Sequence, residues 1–349
     1  MGHKGYPRYG QRKGRGRSRR ASNPVYAAVD LGTNNCRLLM ARPSPQGLSV
    51  AGSFSRIVRL GEGLPESGNL REDAMTRTIE ALAVCAGKIH AKKVRRSRSI
   101  ATEACRSAVN GPAFLARIKA ETGLAMETVE PLEEARLTLQ GCAPLLDKRA
   151  PHALVFDVGG GSTEVMWIEQ AEGAPPKLLD MLSLAKGVVG LAEGYGRELS
   201  AAGYAEIMDS VDAGLAPFDA EYGISREISA GRVEMLGTSG TVTMLGGFFL
   251  ELPRYNRALV DGLDMDFDSI SAICATLIRM GHEARAAHPC IGPGRADLVV
   301  PGCAILQAVC RRWPAGSLRA ADRGIREGLL LGMMAEDAAG TPRAPAAAS

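Results

Sequence analysis

One short pattern occurs twice in this chain, and it limits the possible folds more than any other feature. The apolar run Tyr26-Ala-Ala-Val ends in Asp30-Leu-Gly32, passes through Thr33-Asn-Asn and resumes as Cys36-Arg-Leu-Leu-Met-Ala. From Ala153 the theme returns as Leu154-Val-Phe-Asp, the loop Val158-Gly-Gly-Gly-Ser-Thr-Glu164, and Val165-Met-Trp-Ile. Each copy reads as strand, glycine turn, strand. Internal duplication is the economical explanation, and it predicts two related α/β halves.

An Asp-x-Gly turn between strands has a particular chemical use. Glycine allows positive φ and close approach of the backbone to a ligand, so that successive N–H groups and hydroxyls line one concavity suited to phosphate oxygens. Asp30 and Asp157, at the ends of buried strands, are placed to hold Mg²⁺ directly or through water. Two such loops face to face would clamp a phosphate chain. A flexible linker would not lie between two apolar strands as Asp157 to Glu164 does.

The remaining sequence alternates β and α. From Glu72 to His90 the residues Met75, Ile79, Leu82, Ala86 and Ile89 recur at steps of four and three, a helical stripe for core packing. Ser97 to Thr102 reads as a strand, Pro112 to Glu121 as a helix stopped by Gly123, and Met126 to Val129 as a further strand. Pro131 then opens a helix carrying Glu133-Glu-Ala-Arg136, with proline in the first turn where its missing N–H costs nothing.

With 349 residues, 46% hydrophobic and 23% charged, the chain is long enough for two cores. No apolar run approaches the roughly 18 residues of a membrane span, and Val242 to Leu250 is broken by Gly246-Gly247. The N-terminus is basic without the apolar stretch of a signal peptide, so a cytoplasmic protein with no membrane contact is expected. The eight cysteines are scattered and read as buried, reduced thiols; the five histidines form no metal-ligand spacing, so any metal is held by oxygens. Eight basic residues and no acidic one precede Pro24, leaving 34 of the 42 basic residues against all 38 acidic ones. That Gly/Arg segment is expected to be disordered, either as a solubilising tail or as an arm contacting polyanions.

Several strings, taken in order, resemble the exopolyphosphatase / guanosine pentaphosphate phosphatase family of the actin, Hsp70 and sugar-kinase superfamily. They are Asp30-Leu-Gly-Thr-Asn34, Arg59-Leu-Gly-Glu-Gly-Leu64, Ala101-Thr-Glu-Ala-Cys-Arg106, Glu133-Glu-Ala-Arg136, the triple-glycine loop, Gly237-Thr-Ser-Gly-Thr241, Arg295-Ala-Asp-Leu-Val-Val-Pro-Gly302 and Asp322-Arg-Gly-Ile-Arg-Glu-Gly328. The match runs from Tyr26 to about Met334. It implies an α/β fold of two ribonuclease H-like (actin-like ATPase) domains around an interdomain cleft. Domain I would comprise residues 25–131 and 323–338 and domain II residues 132–322, with disordered tails at 1–24 and 339–349. The implied reaction is Mg²⁺-dependent hydrolysis of the terminal phosphoanhydride of inorganic polyphosphate, or the 5′-phosphohydrolysis of guanosine pentaphosphate to the tetraphosphate. A homodimer is the expected assembly.

The resemblance also assigns roles. A glutamate of Glu133-Glu134 activates the attacking water; its distance from the second loop favours Glu134, with Glu133 as the alternative. Glu164 joins Asp30 and Asp157 as metal ligands. Phosphate oxygens fall to Gly32, Thr33, Asn34, Arg37 and Arg106, to Gly159, Gly160, Gly161, Ser162 and Thr163, and to the second-domain turn Gly237, Thr238 and Ser239. Arg295 reaches a nucleotide or more distant phosphates. Without the resemblance, the glutamate pair would read as first-turn residues favoured by the helix dipole.

Departures from the family bear on these roles. Glu130-Pro131 replaces a usual Ser-Gly, and proline forbids the positive φ of glycine, which questions how that segment approaches the cleft. Thr33 stands for the commoner serine and keeps the hydroxyl. The chain continues only a little beyond Gly328, leaving the two-domain form without the helical extension of longer members. Two other readings use the same loops: a kinase or ATPase of the wider superfamily, and a non-catalytic alarmone or polyanion binder.

Overall fold

The computed structural model describes residues 23–340 except 46, 148 and 197, so both predicted tails lie outside the described residues apart from their inner ends. The first half runs β1 (Tyr26–Leu31), β2 (Asn35–Ser44), β3 (Gly47–Ile57), α1 (Glu72–Ala91), β4 (Arg96–Ala101), α2 (Glu103–Ser107), α3 (Gly111–Thr122) and β5 (Glu127–Thr128). Its sheet has the order β3-β2-β1-β4-β5, with β1 to β3 an antiparallel meander and β4 and β5 parallel to β1. After α4 (Pro131–Cys142) the plan repeats. The strands β6 (His152–Val158), β7 (Thr163–Glu169) and β8 (Lys177–Leu184) form a second antiparallel meander. Then come α5 (Val188–Tyr195), α6 (Ala201–Tyr222), β9 (Val233–Thr238), α7 (Ser239–Phe249), β10 (Asp264–Asp266), α8 (Val299–Arg312), β11 (Ser317–Ala320) and α9 (Ile325–Ala338). The second sheet has the order β10-β11-β9-β6-β7-β8, with β9 parallel to β6 and β11 parallel to β9. The duplication read from the sequence is thus a repeated sheet topology, the two-domain actin-like plan expected of the fold.

Both central strands are covered on both faces, which is why they read as unbroken apolar runs. Val25, Ala27, Val29 and Leu31 face a core shared with α1 and α3, while Tyr26 and Ala28 face one shared with Leu137, Leu329, Leu330 and Met333. In β6, Leu154, Phe156 and Val158 face the large core of the second half, and Ala153 and Val155 face Ala135, Leu139 and Cys142. Helix α4 therefore feeds cores on both sheets. It crosses α9 at backbone contact: a Cβ on Gly141 would lie 2.0 Å from the Gly324 carbonyl oxygen, and one on Gly328 2.0 Å from that of Leu137. This glycine-lined crossing sets the second half of α4 against the first turn of α9.

Local expectations held, with three refinements. Gly123 ends α3 with φ 74°, and Pro131 sits in the first turn of α4. The buried face of α1 is centred on Ala74, Thr78, Ala81, Leu82 and Cys85 together with Ile79, whereas Met75, Ala86 and Ile89 are only partly buried at its edge. The strand predicted over Met126 to Val129 pairs only at Glu127 and Thr128. Of the described cysteines all are free, with Cys310 alone not fully buried. No described helix is long and apolar enough to cross a membrane.

Candidate active site

The two glycine turns meet across a cleft of about 740 Å³. The first is braced by the Arg59 to Gly63 segment: Gly61 N–H donates to the Thr33 carbonyl at 2.9 Å, and Val58 and Arg59 N–H to that of Asn34 at 2.9 and 3.1 Å. The second is braced by the start of α5, where Val188 and Val189 N–H donate to the carbonyls of Gly159 and Gly160 at 3.1 and 2.9 Å. None of Gly32, Gly159, Gly160 or Gly161 has a positive φ, so the conformational reason first given for them is corrected. For Gly159, Gly160 and Gly161 the reason is space. A Cβ on Gly160 would press on Thr33 and Asn34 at 3.1 to 3.2 Å, and one on Gly161 would lie 2.7 Å from the Thr33 hydroxyl oxygen. The second loop packs directly on the first.

A strained residue lies beside them. Ser239, at the start of α7, holds φ 87°, a region costly for a side-chain-bearing residue and concentrated at functional sites. Its hydroxyl donates to the Val158 carbonyl at 2.8 Å, which ties the α7 turn to the second loop.

Of the six carboxylates that line the cleft, four have a raised pKa: Asp30, Glu134, Asp157 and Glu164. Burial raises the pKa of each; Asp157, with Glu164 adding repulsion, reaches about 7. Glu134 is pushed well above the ordinary range by burial, then by Glu164, Asp157 and Asp30. Its Oε2 is buried without a hydrogen-bond partner, as is Asn34 Oδ1, and Arg106 stands 3.7 Å from that Oε2. Glu134 reaches this position because Pro131 begins α4 with Glu130 extended as its cap, and Glu134 N–H closes the first turn on the Glu130 carbonyl at 3.0 Å. The unusual Glu130-Pro131 therefore does not withdraw it.

These donors suit a hard cation. All are oxygens, two are unsatisfied, and burial raises the pKa of each carboxyl, a cost that a bound cation would offset. Among the described residues no group of three or more His, Cys, Asp or Glu side chains stands close enough to cage a metal unaided.

The other predicted residues separate by position. Gly32, Thr33, Asn34, Arg37, Gly159, Gly160, Gly161, Ser162, Thr238, Ser239 and Arg295 line the cleft. Four do not. Glu133 points away, 3.8 Å from Arg98 on β4. Thr163 is buried and donates to the Lys186 carbonyl at 2.7 Å. Gly237 lies inside β9 against Phe156. Arg106 sits behind Glu134, bonded to Glu103 and to the Val129 carbonyl at 2.6 Å. The sequence reading missed Glu103, Tyr255, Arg257, Arg323 and Arg326, which also line the cleft. Arg323 and Arg326 lie in the Asp322 to Gly328 string, which had been recognised without a role.

The family model of the Ppx/GppA phosphatases matches residues 39–337. A relative named guanosine-5′-triphosphate,3′-diphosphate pyrophosphatase from Photobacterium profundum is 32% identical over 64% of this chain. That match spans only 43% of the relative's length. Exopolyphosphatase 2 of Mycobacterium tuberculosis is 28% identical over 88% of this chain and 98% of its own. The crystal structure of the Aquifex aeolicus member of the Ppx/GppA family superposes with a TM-score of 0.71 at 27% identity, covering 90% of this chain and 98% of that one.

Proposed function

The chain belongs to the Ppx/GppA phosphatase family, hydrolases of phosphoanhydride bonds, and from that premise we propose that it removes the terminal phosphate of inorganic polyphosphate. The observation that carries this reading is Glu134, buried between the two loops with Oε2 unsatisfied. Burial and like charges make it a stronger base than an exposed glutamate. In the proposed reaction Oε2 takes a proton from water as the water oxygen bonds to the terminal phosphorus. The bond from that phosphorus to the bridging oxygen breaks, and the shortened chain leaves with the electron pair. N–H groups of both loops and the hydroxyls of Thr33 and Ser162 hold the terminal oxygens, over which charge is spread in the loose transition state. Arg106 acts as a positioning residue behind the base. Phosphatases of this family are generally divalent-cation dependent, and Mg²⁺ held by Asp157, Glu164 and water, with Asp30 as a further ligand, would supply positive charge to the phosphate oxygens. The same reading includes a cytoplasmic homodimer.

A second substrate has its own support. Phe54, Met244 and Tyr255 line the same cleft and offer apolar surface for a base, which suits guanosine pentaphosphate. Phosphate release from polyphosphate, guanosine pentaphosphate and ATP, measured in parallel with Mg²⁺, tests the choice. Faster release from polyphosphate is expected; faster release from guanosine pentaphosphate would reverse the order. Turnover of ATP alone, or binding of polyphosphate without release, would contradict hydrolysis of either.

A further inference from the structure

The arginines around the cleft fall into two groups. Arg59 is paired with Asp297, Arg106 with Glu103, Arg257 with Glu327 and Arg323 with Asp261. Arg37, Arg295 and Arg326 line the cleft, yet among the described residues none of the three side chains has an ion pair or a hydrogen bond; of these, Arg37 and Arg326 both act on Asp30. They also repel each other, since each lies within electrostatic range of the other.

The position of Arg326 makes this costly in three ways. It sits in the first turn of α9, where the helix dipole disfavours a cation. It loses hydration in the cleft, and its like-charged neighbour is not screened by a direct counterion. Glu327 beside it is committed to capping Gly324 and to Arg257, so it does not neutralise Arg326 by contact. Glu327, Asp30 and Asp322 act on Arg326 without a direct hydrogen bond or ion pair, so both guanidinium groups keep donors free for a multiply charged anion.

The base and Arg326 share a neighbour. Glu134 feels Glu164, Asp157, Asp30 and Arg106, Arg326 feels Glu327, Arg37, Asp30 and Asp322, and Arg37 acts on Asp157 as well.

We propose that Arg326 is a substrate-binding catalytic residue that, with Arg37, holds phosphate oxygens of the bound chain. The proposal rests on the phosphohydrolase reading above, and it adds a residue for which neither the glycine loops nor the glutamate pair gave any signal. It also explains why a destabilising charge is kept at the start of α9. Its removal should help the ligand-free fold and harm the reaction.

The test measures polyphosphate hydrolysis and the ligand-free melting temperature for the parent, Arg326→Gln and Arg326→Lys. Parent activity comes first: a parent that releases no phosphate from polyphosphate or guanosine pentaphosphate contradicts the functional reading itself. With an active parent, Arg326→Gln is expected to lose about 100-fold in kcat/KM, the usual cost of a lost charge-stabilising donor. Its ligand-free melting temperature should hold or rise, and Arg326→Lys should recover part of the activity. A Gln variant within threefold of the parent, or one whose melting temperature falls together with its activity, would overturn the proposal.

Discussion

The two glycine hairpins share a backbone plan but oppose each other in charge. In the first, Asp30 on β1 lies directly across the ladder from Arg37 on β2. In the second, Asp157 on β6 lies across from Glu164 on β7. The same register position thus carries a cation in one copy and an anion in the other. The consequence is electrostatic. Arg37 tempers the rise in the pKa of both aspartates, but Asp30 also has Arg326, while Glu164 adds to the rise for Asp157. On the proposed reading, the side-chain pair of the first hairpin suits an anion and that of the second a cation. Gripping a metal-bound phosphate chain requires both.

The largest expected effect lies between the halves, at Glu134. Glu134→Gln should lower kcat for phosphate release by about 10³-fold or more, within the range for losing a general base, and leave KM little changed. Wild-type activity in this variant would remove the base from the account. Next is the contrast in the glycines. Gly161→Ala drives a methyl into the Thr33 hydroxyl, whereas the Cβ position of Gly32 meets only the Asn35 carbonyl oxygen, at 3.7 Å. A misplaced loop costs on the order of 100-fold in kcat/KM, expected for Gly161→Ala, while Gly32→Ala should stay near the parent. Equal losses would show that the loops do not pack as described.

The smallest effect is on stability. The Asp157 carboxyl titrates at about 7 when folded, against 3.8 ordinarily, so the folded state binds the extra proton between those values. Stability of the metal-free protein should therefore fall as pH rises from about 4 to about 7. Melting curves in chelator should show this fall, and Asp157→Asn should flatten it more than Asp30→Asn, whose carboxylate has Arg37 and Arg326 nearby.

The duplication was legible because it lies in contiguous strings: an apolar strand, Asp-x-Gly, a hydroxyl and another strand. Pro131 and Gly123 likewise marked helix ends through local backbone chemistry. What stayed hidden depends on distant contacts. Nothing near Gly160 in the sequence says that Thr33 will press on it, and so a conformational reason was assigned where close packing is the cause. Adjacent Glu133 and Glu134 differ only in which way the helix turns them, one toward Arg98 and one into the cleft. Arg326 was unreadable for a related reason. Its interest lies in having no partner, and partnership is settled by the crossing of α4 and α9.

The opposition between the hairpins is tested most directly by a paired titration of Arg37→Gln and Glu164→Gln. For each variant, polyphosphate hydrolysis is followed against Mg²⁺ at saturating substrate and against substrate at saturating Mg²⁺. Glu164→Gln should raise the Mg²⁺ needed for half-maximal activity about tenfold or more, the size of effect expected for a weakened ligand set, with KM for polyphosphate nearly unchanged. Arg37→Gln should do the reverse, raising KM and leaving the Mg²⁺ requirement in place. Identical shifts in both quantities for both variants would contradict the division of the cleft into a cation-binding and an anion-binding half.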